Sequence, residues 1–109
     1  MTELVAADIG GTNARFARAT LDGRGAPTLG TVRKYKVAEY PSLQACWRAF
    51  LADEGGPAPE RVSIAFATAI GREVIKLTNS SWVIRPAQLA AELDVGSVRL
   101  APAPGLAWP

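Results

Sequence analysis

The feature that most constrains the fold of this 109-residue chain is a short apolar run that ends in two glycines. Residues 4–9 are mostly apolar, which is typical of a buried central strand, and Gly10 and Gly11 predict a tight turn directly after it. Residues 13–20 then alternate between two faces, with Ala14 and Phe16 on the same one. The sequence therefore predicts a hairpin of two antiparallel strands.

The next segment follows a turn at residues 21–27 and carries the densest group of basic side chains. Residues 31–37 alternate as a third strand, and Arg33, Lys34 and Lys36 lie within four consecutive positions. Basic residues are typical of an exposed sheet edge, so solvated edge charge is favoured over a binding patch.

A change of period marks the first helix. Pro41 suits its first turn, and Gly55 and Gly56 suit its end. Its apolar positions fall at i, i+3, i+4, i+7 and i+8 and are Leu43, Cys46, Trp47, Phe50 and Leu51. Such a stripe indicates core packing, with Cys46 as a small buried hydrophobe.

The remaining pattern alternates strands with helices. A strand is predicted at residues 61–67, parallel to the first because it follows a helix, and a short strand at residues 73–77. Residues 86–93 predict a second helix, and residues 98–100 the strand after it; the following stretch is too rich in proline to continue that strand. The expected fold is one α/β domain with a mixed five-stranded sheet, three antiparallel strands first and then helix–strand units.

Composition excludes several classes of function. The net charge of +2 is too small to attract nucleic acid by bulk electrostatics. There is no histidine, and the lone Cys46 can form no internal disulfide. No apolar segment reaches the length of a membrane span, and the amino terminus lacks a signal-peptide pattern. We therefore expect a cytoplasmic protein that binds neither nucleic acid nor membrane.

The turn after the first strand carries the residues best suited to chemistry, Asp8-Ile9-Gly10-Gly11-Thr12-Asn13. Its two glycines permit positive φ and let backbone N–H groups approach a phosphate closely, while the Thr12 hydroxyl adds a donor. Asp8, at the end of the strand, is suited to hold Mg²⁺ directly or through water. The alternative is an ordinary hairpin turn with an acidic flank.

Residues 8–17, Asp-Ile-Gly-Gly-Thr-Asn-Ala-Arg-Phe-Ala, closely resemble the phosphate-binding hairpin of bacterial glucokinases. These enzymes belong to the superfamily of sugar kinases, heat-shock protein 70 and actin. Two further segments agree in order and spacing: Tyr40-Pro41-Ser42-Leu43 and Leu77-Thr78-Asn79-Ser80-Ser81-Trp82. The Asn-Ala-Arg that follows the glycines is more typical of the glucokinase branch than of related sugar kinases.

The resemblance implies a ribonuclease H-like fold, as in actin-like ATPases. It also implies transfer of the γ-phosphoryl group of ATP to the 6-hydroxyl of glucose with Mg²⁺ as cofactor, and homodimers for full-length relatives. The residues that match the ATP-phosphate turn are Asp8, Ile9, Gly10, Gly11, Thr12 and Asn13, with Asp8 also matching the metal position. Gly71, Thr78 and Asn79 match a region that borders the sugar cleft.

Residues 101 and 102 depart from the family pattern. Where the resemblance implies an Asn-Asp pair, with the aspartate as general base, this sequence has Ala101 and Pro102. Neither can accept a proton, and loss of a positioned base removes about 100- to 10,000-fold in rate. We therefore expect residues 1–100 to be the amino-terminal lobe of a glucokinase-like fold and residues 101–109 to be a tail outside it. The expected product is a truncated or frameshifted piece with negligible kinase activity alone.

Two other functions stay open at this point. One is a non-catalytic sensor of sugar or nucleotide, although the hairpin begins too close to Met1 for a preceding helix-turn-helix. The other is an unstable interaction module, in which an unfinished sheet face and a free edge bind a partner. Trp82 has two interpretations as well, an anchor for the second helix or a residue that lines a cleft.

Overall fold

The structure is a computed structural model that describes residues 2–21, 28–66, 75–76 and 82–102. Short 3₁₀ helices lie at Val37–Glu39 and Pro86–Gln88. In chain order the strands and α-helices are β1 (Thr2–Ile9), β2 (Asn13–Leu21), β3 (Thr28–Leu29), β4 (Arg33–Lys36), α1 (Leu43–Glu54), β5 (Arg61–Phe66), β6 (Ile75–Lys76), β7 (Val83–Ile84), α2 (Leu89–Leu93) and β8 (Ser97–Pro102).

Six of these strands form one mixed sheet within the described ranges. Its order is β3-β2-β1-β5-β8, and β4 pairs with β2 beside β3. β1 and β2 form the predicted antiparallel hairpin, whereas β5 runs parallel to β1 and β8 runs parallel to β5. The parallel pairing follows from the helical connections, because a chain that crosses back through a helix re-enters the sheet in its original direction. The predicted α/β fold with a mixed sheet is confirmed, but the sheet has six strands and not five, because the two-residue β3 also pairs with β2.

The bounds of α1 follow from its caps. The Ser42 hydroxyl accepts a hydrogen bond from the backbone N–H of Ala45 at 3.2 Å, so the helix begins at Leu43, two residues after Pro41. Pro41 therefore lies before the cap and not in the first turn. At the other end Gly55, with φ of 72°, donates its N–H to the carbonyl of Leu51.

One face of the sheet carries the hydrophobic core. Phe16 stacks on Phe50 with ring centroids 5.2 Å apart, and Trp47 lies 5.9 Å from Phe16. The indole N–H of Trp47 donates to the carbonyl of Leu93, which joins α1 to α2. Both described α-helices pack on this face, since their buried residues belong to the same cluster as alternate residues of β1, β2 and β5. Cys46 is completely buried there, as predicted.

The opposite face of the sheet is lined by small residues. Ala6, Ala17, Ala19 and Ala65 are all buried, although they lie on the side of their strands that turns away from the aromatic cluster. The register places Ala6 directly opposite Ala17. The centre of this face therefore differs from the first in side-chain size, and the charged residues around it are partly or fully exposed.

The last strand corrects one prediction. Residues 98–100 were expected to end it, but β8 runs from Ser97 to Pro102 and pairs Ala101 with Ala65 and Pro102 with Phe66. β8 lies at the end of the described sheet order. Proline is tolerated there because an edge strand already has one row of backbone groups without ladder partners.

Candidate functional site

The candidate site is the turn between β1 and β2. The N–H of Gly10 donates to the carbonyl of Asn13 at 2.9 Å, which closes the turn immediately after the last pair of the hairpin ladder. The N–H of Val37 donates to the carbonyl of Thr12 at 3.0 Å, so the chain that leaves β4 braces the turn from the side. These two bonds fix the turn at the edge of the sheet where β1 and β5 end.

The turn presents free hydrogen-bond donors. Among the residues that the structure describes, the N–H groups of Gly11 and Thr12 donate to no acceptor. The side chain of Thr12 is exposed and Gly11 is partly exposed. Adjacent unpaired N–H groups at a turn are suited to bind an anion such as a phosphate.

The glycines serve this turn by their size. The described residues with positive φ are Gly55, Gly56 and Asp94, so neither Gly10 nor Gly11 uses the left-handed backbone that the sequence permits. The contribution of Gly10 and Gly11 is therefore the absence of a side chain, which lets a ligand approach the backbone closely.

Asp8 and Arg15 form an ion pair on the hairpin beside the turn. The register sets them directly opposite each other, and Arg15 Nη1 lies 3.6 Å from Asp8 Oδ2. The Asp8 side chain is 21% exposed and that of Arg15 is 39% exposed, so this distance and exposure describe a loose, solvated pair. The Asp8 carboxylate is therefore positioned by the sheet and still accessible to a ligand at the turn.

The donor set beside the turn is compatible with magnesium. Mg²⁺ commonly takes one or two carboxylates together with phosphate oxygens and water, and Asp8 supplies one accessible carboxylate. Within the described part of the chain no group of three or more His, Cys, Asp or Glu side chains could hold a metal ion. The described residues thus fit a metal held jointly with a phosphate ligand and contain no cage made of protein groups alone.

The other predicted site residues are placed as follows. Gly71, Thr78 and Asn79, which were expected beside a sugar cleft, lie outside the described residues. The short strand predicted at residues 73–77 is present as β6, which pairs with β7. Trp82 is buried, and its indole N–H donates to the carbonyl of Tyr40, which supports the anchor interpretation.

Side chains of β4 and α1 interact in ways that the sequence did not indicate. Tyr35 donates its hydroxyl to Asp53 and Arg33 donates to Glu54, so both carboxylates at the end of α1 have partners on β4. Burial and the Asp53 hydrogen bond raise the pKa of the Tyr35 hydroxyl. Burial also raises the pKa of the Cys46 thiol to about 12, so this cysteine is not a reactive nucleophile.

Comparison with known proteins gives a consistent result along the chain. A family model described as glucokinase matches residues 5–101. The glucokinase of Zymomonas mobilis is 45% identical over 93 residues, which are 85% of this chain and 29% of that protein. The glucokinase of Stenotrophomonas maltophilia strain K279a is 41% identical over 100 residues, 89% of this chain and 29% of that protein. The chain thus spans about 29% of the length of these curated relatives.

Solved structures agree on the fold. A crystal structure of glucokinase from an Antarctic psychrotroph superposes with a TM-score of 0.82 and 26% identity, covering 94% of this chain and 32% of that one. A Schistosoma mansoni hexokinase complexed with glucose gives a TM-score of 0.57 at 20% identity, over 94% of this chain and 29% of that one. The second likeness concerns the fold alone. None of the described helices is long and apolar enough to cross a membrane.

Proposed function

Because this chain belongs to the glucokinase family, we propose that its β1–β2 turn binds the phosphates of ATP in an ATP-dependent phosphorylation of glucose. The observation that carries the proposal is the pair of free N–H donors at Gly11 and Thr12 beside the accessible carboxylate of Asp8. The complete reaction transfers a phosphoryl group to the 6-hydroxyl of glucose in the cytoplasm.

Each residue of the turn has a defined task in this proposal. The N–H groups of Gly11 and Thr12 and the Thr12 hydroxyl donate to phosphate oxygens, and Gly10 keeps the approach clear. Asp8 holds Mg²⁺, directly or through water, with Arg15 orienting its carboxylate from the opposite strand. When bound, the metal neutralises charge on the phosphates. Ile9 and Asn13 complete the motif as the strand residues that flank the turn.

The 109 residues alone bind nucleotide phosphate weakly and do not turn glucose over. Ala101 and Pro102 lie at the end of β8, where the family resemblance implies the general base, and neither side chain accepts a proton. Gly71, Thr78 and Asn79 contribute to the sugar side of the cleft in the same proposal.

Binding of Mg·ATP to the 109-residue chain, measured by titration calorimetry, tests the role of the turn. Asp8→Ala is expected to weaken binding by about 10- to 100-fold, the usual cost of altering a group that supports a metal site. Glu3→Ala is the matched control, because Glu3 is an exposed carboxylate on the same strand at the end far from the turn. Equal affinities for the two variants would contradict the assignment of Asp8.

A coupled assay of glucose 6-phosphate formation tests the second half of the proposal. A large excess of the chain with ATP, Mg²⁺ and glucose should give no turnover above the rate without protein. Turnover that is lost in Asp8→Ala would show that another group acts as the base, and the interpretation of Ala101 and Pro102 would be wrong.

A further inference from the structure

Two lysines of β4 lie on the same face of the hairpin as Asp8. The register sets Lys36 opposite Asn13, the last residue of the turn motif, and Lys34 opposite Arg15. Residues directly opposite in antiparallel strands share a face, and Arg15 is itself opposite Asp8. The side chains of Lys34 and Lys36 are both exposed. A basic strip therefore begins at the turn and runs along β4.

The charges of β4 are divided between the two faces of the sheet. Arg33 is opposite Phe16, so it turns to the helix face, where it donates to Glu54 at 2.8 Å. Lys34 and Lys36 turn to the other face, and in the described ranges neither of them takes part in an ion pair. The strip thus retains its positive charge where the neighbouring cation is neutralised.

The arrangement places like charges together. Arg15 and Lys34 are directly opposite, which is unfavourable for strand pairing unless an anion lies between or above them. Among the described residues the ion-paired carboxylate on this face is Asp8, which interacts with Arg15 from the side of β1. An added multivalent anion would relieve the repulsion and contact several cations at once.

We propose that Lys34 and Lys36 form a second anion site that continues from the turn along β4 and binds a linear inorganic phosphate chain. Alternate residues of a strand are about 7 Å apart, so the two ammonium groups follow an extended anion in a row. Each ammonium offers three N–H donors to phosphate oxygens. The inference rests on the proposed function in one respect, because the chain of phosphates begins at the same turn.

Titration of the 109-residue chain with tripolyphosphate in the presence of EDTA at low ionic strength tests this site without metal or catalysis. The double variant Lys34→Gln/Lys36→Gln should bind tripolyphosphate about tenfold more weakly, because it removes two cations that contact the anion at low ionic strength. Arg48→Gln/Arg61→Gln is the control, because it removes the same net charge from exposed positions on α1 and at the far end of β5. Circular dichroism spectra should be the same for all three proteins.

Three outcomes would overturn the site: no loss in the lysine variant, an equal loss in the arginine variant, or a thymidine oligonucleotide that binds as tightly as tripolyphosphate. The first two would mean that Lys34 and Lys36 make no local contribution, and the third that the strip attracts any polyanion. The proposed function is tested separately. It would be wrong if the unaltered chain bound no Mg·ATP, a result that the tripolyphosphate titration, which contains no metal and no nucleotide, does not affect.

Discussion

The two faces of the β-sheet are built from different residues, and only the alanines of the second face are as buried as the core of the first. On the helix face Phe16, Trp47 and Phe50 pack ring against ring. On the other face Ala6 and Ala17 are equally inaccessible, and the charged residues of the hairpin begin beside them. The first face supplies the hydrophobic free energy that holds the sheet and helices together. The second keeps the backbone of the turn and the carboxylate of Asp8 within reach of a ligand.

This division explains why the candidate site needs so few residues. The turn is held by two backbone hydrogen bonds, from Gly10 to Asn13 and from Val37 to Thr12, and no side chain is required to brace it. Val37 is buried in the aromatic cluster, so the helix face stabilises the turn through the backbone of one residue. Side chains on the other face are therefore available for charge.

The largest expected effect on stability comes from removing an aromatic ring from the helix face. Phe50→Ala removes the ring that stacks on Phe16, and it should lower the free energy of unfolding by about 3–5 kcal/mol, measured by urea denaturation. Lys34→Ala, on the opposite face, should change it by less than about 0.5 kcal/mol. A small loss for Phe50→Ala would show that the aromatic cluster is not the main source of stability.

A smaller effect on stability is expected from a larger side chain among the alanines of the opposite face. Ala17 is completely buried and sits opposite Ala6, so Ala17→Leu must force extra volume into a closed space and should cost about 1–3 kcal/mol. Ala91→Leu adds the same volume at an exposed position of α2 and should be neutral within about 0.5 kcal/mol. If Ala17→Leu were also neutral in the same denaturation experiment, the alanine face would be loosely packed and the comparison would lose its basis.

Much of the helix face was predictable from periodicity. The stripe of α1 identified Trp47 and Phe50 as core, and the inward positions of Leu89 and Leu93 in α2 follow from the same rule. The hairpin was predictable because an apolar run, two glycines and an alternating run leave few other arrangements.

The other face was harder to predict, because its small residues carry no strong hydrophobic signal. The alternation of β2 was clear, yet Ala17 and Ala19 are as buried as Phe16, which a pattern of large residues does not reveal. The role of Gly96, in the loop between α2 and β8, was also hard to predict from the sequence. The left-handed residue after α2 is Asp94, with φ of 56°, and a Cβ on Gly96 would lie 2.7 Å from Glu60 Cγ, so this glycine serves a close approach between chain segments. Such contacts depend on residues far apart in sequence.

The smallest expected effect concerns the charges that distinguish the faces. Glu54 lies in the last turn of α1, where the helix dipole disfavours a carboxylate, and it accepts from Arg33 at 2.8 Å and pairs with Arg18 at 3.5 Å. Glu54→Gln should lower the free energy of unfolding by about 0.5–1 kcal/mol, because the loss of two partly exposed pairs is offset in part by relief at the helix end.

The salt dependence of that loss separates an ion-pair effect from a packing effect. In 1 M NaCl the difference between Glu54→Gln and the unaltered chain should become smaller, because the Debye length falls to about 3 Å and the 3.5 Å pair with Arg18 is then screened. Glu39→Gln is the control, because Glu39 is exposed and forms no ion pair among the described residues. A loss that persists in high salt would mean that Glu54 holds α1 against β4 by packing and hydrogen bonding.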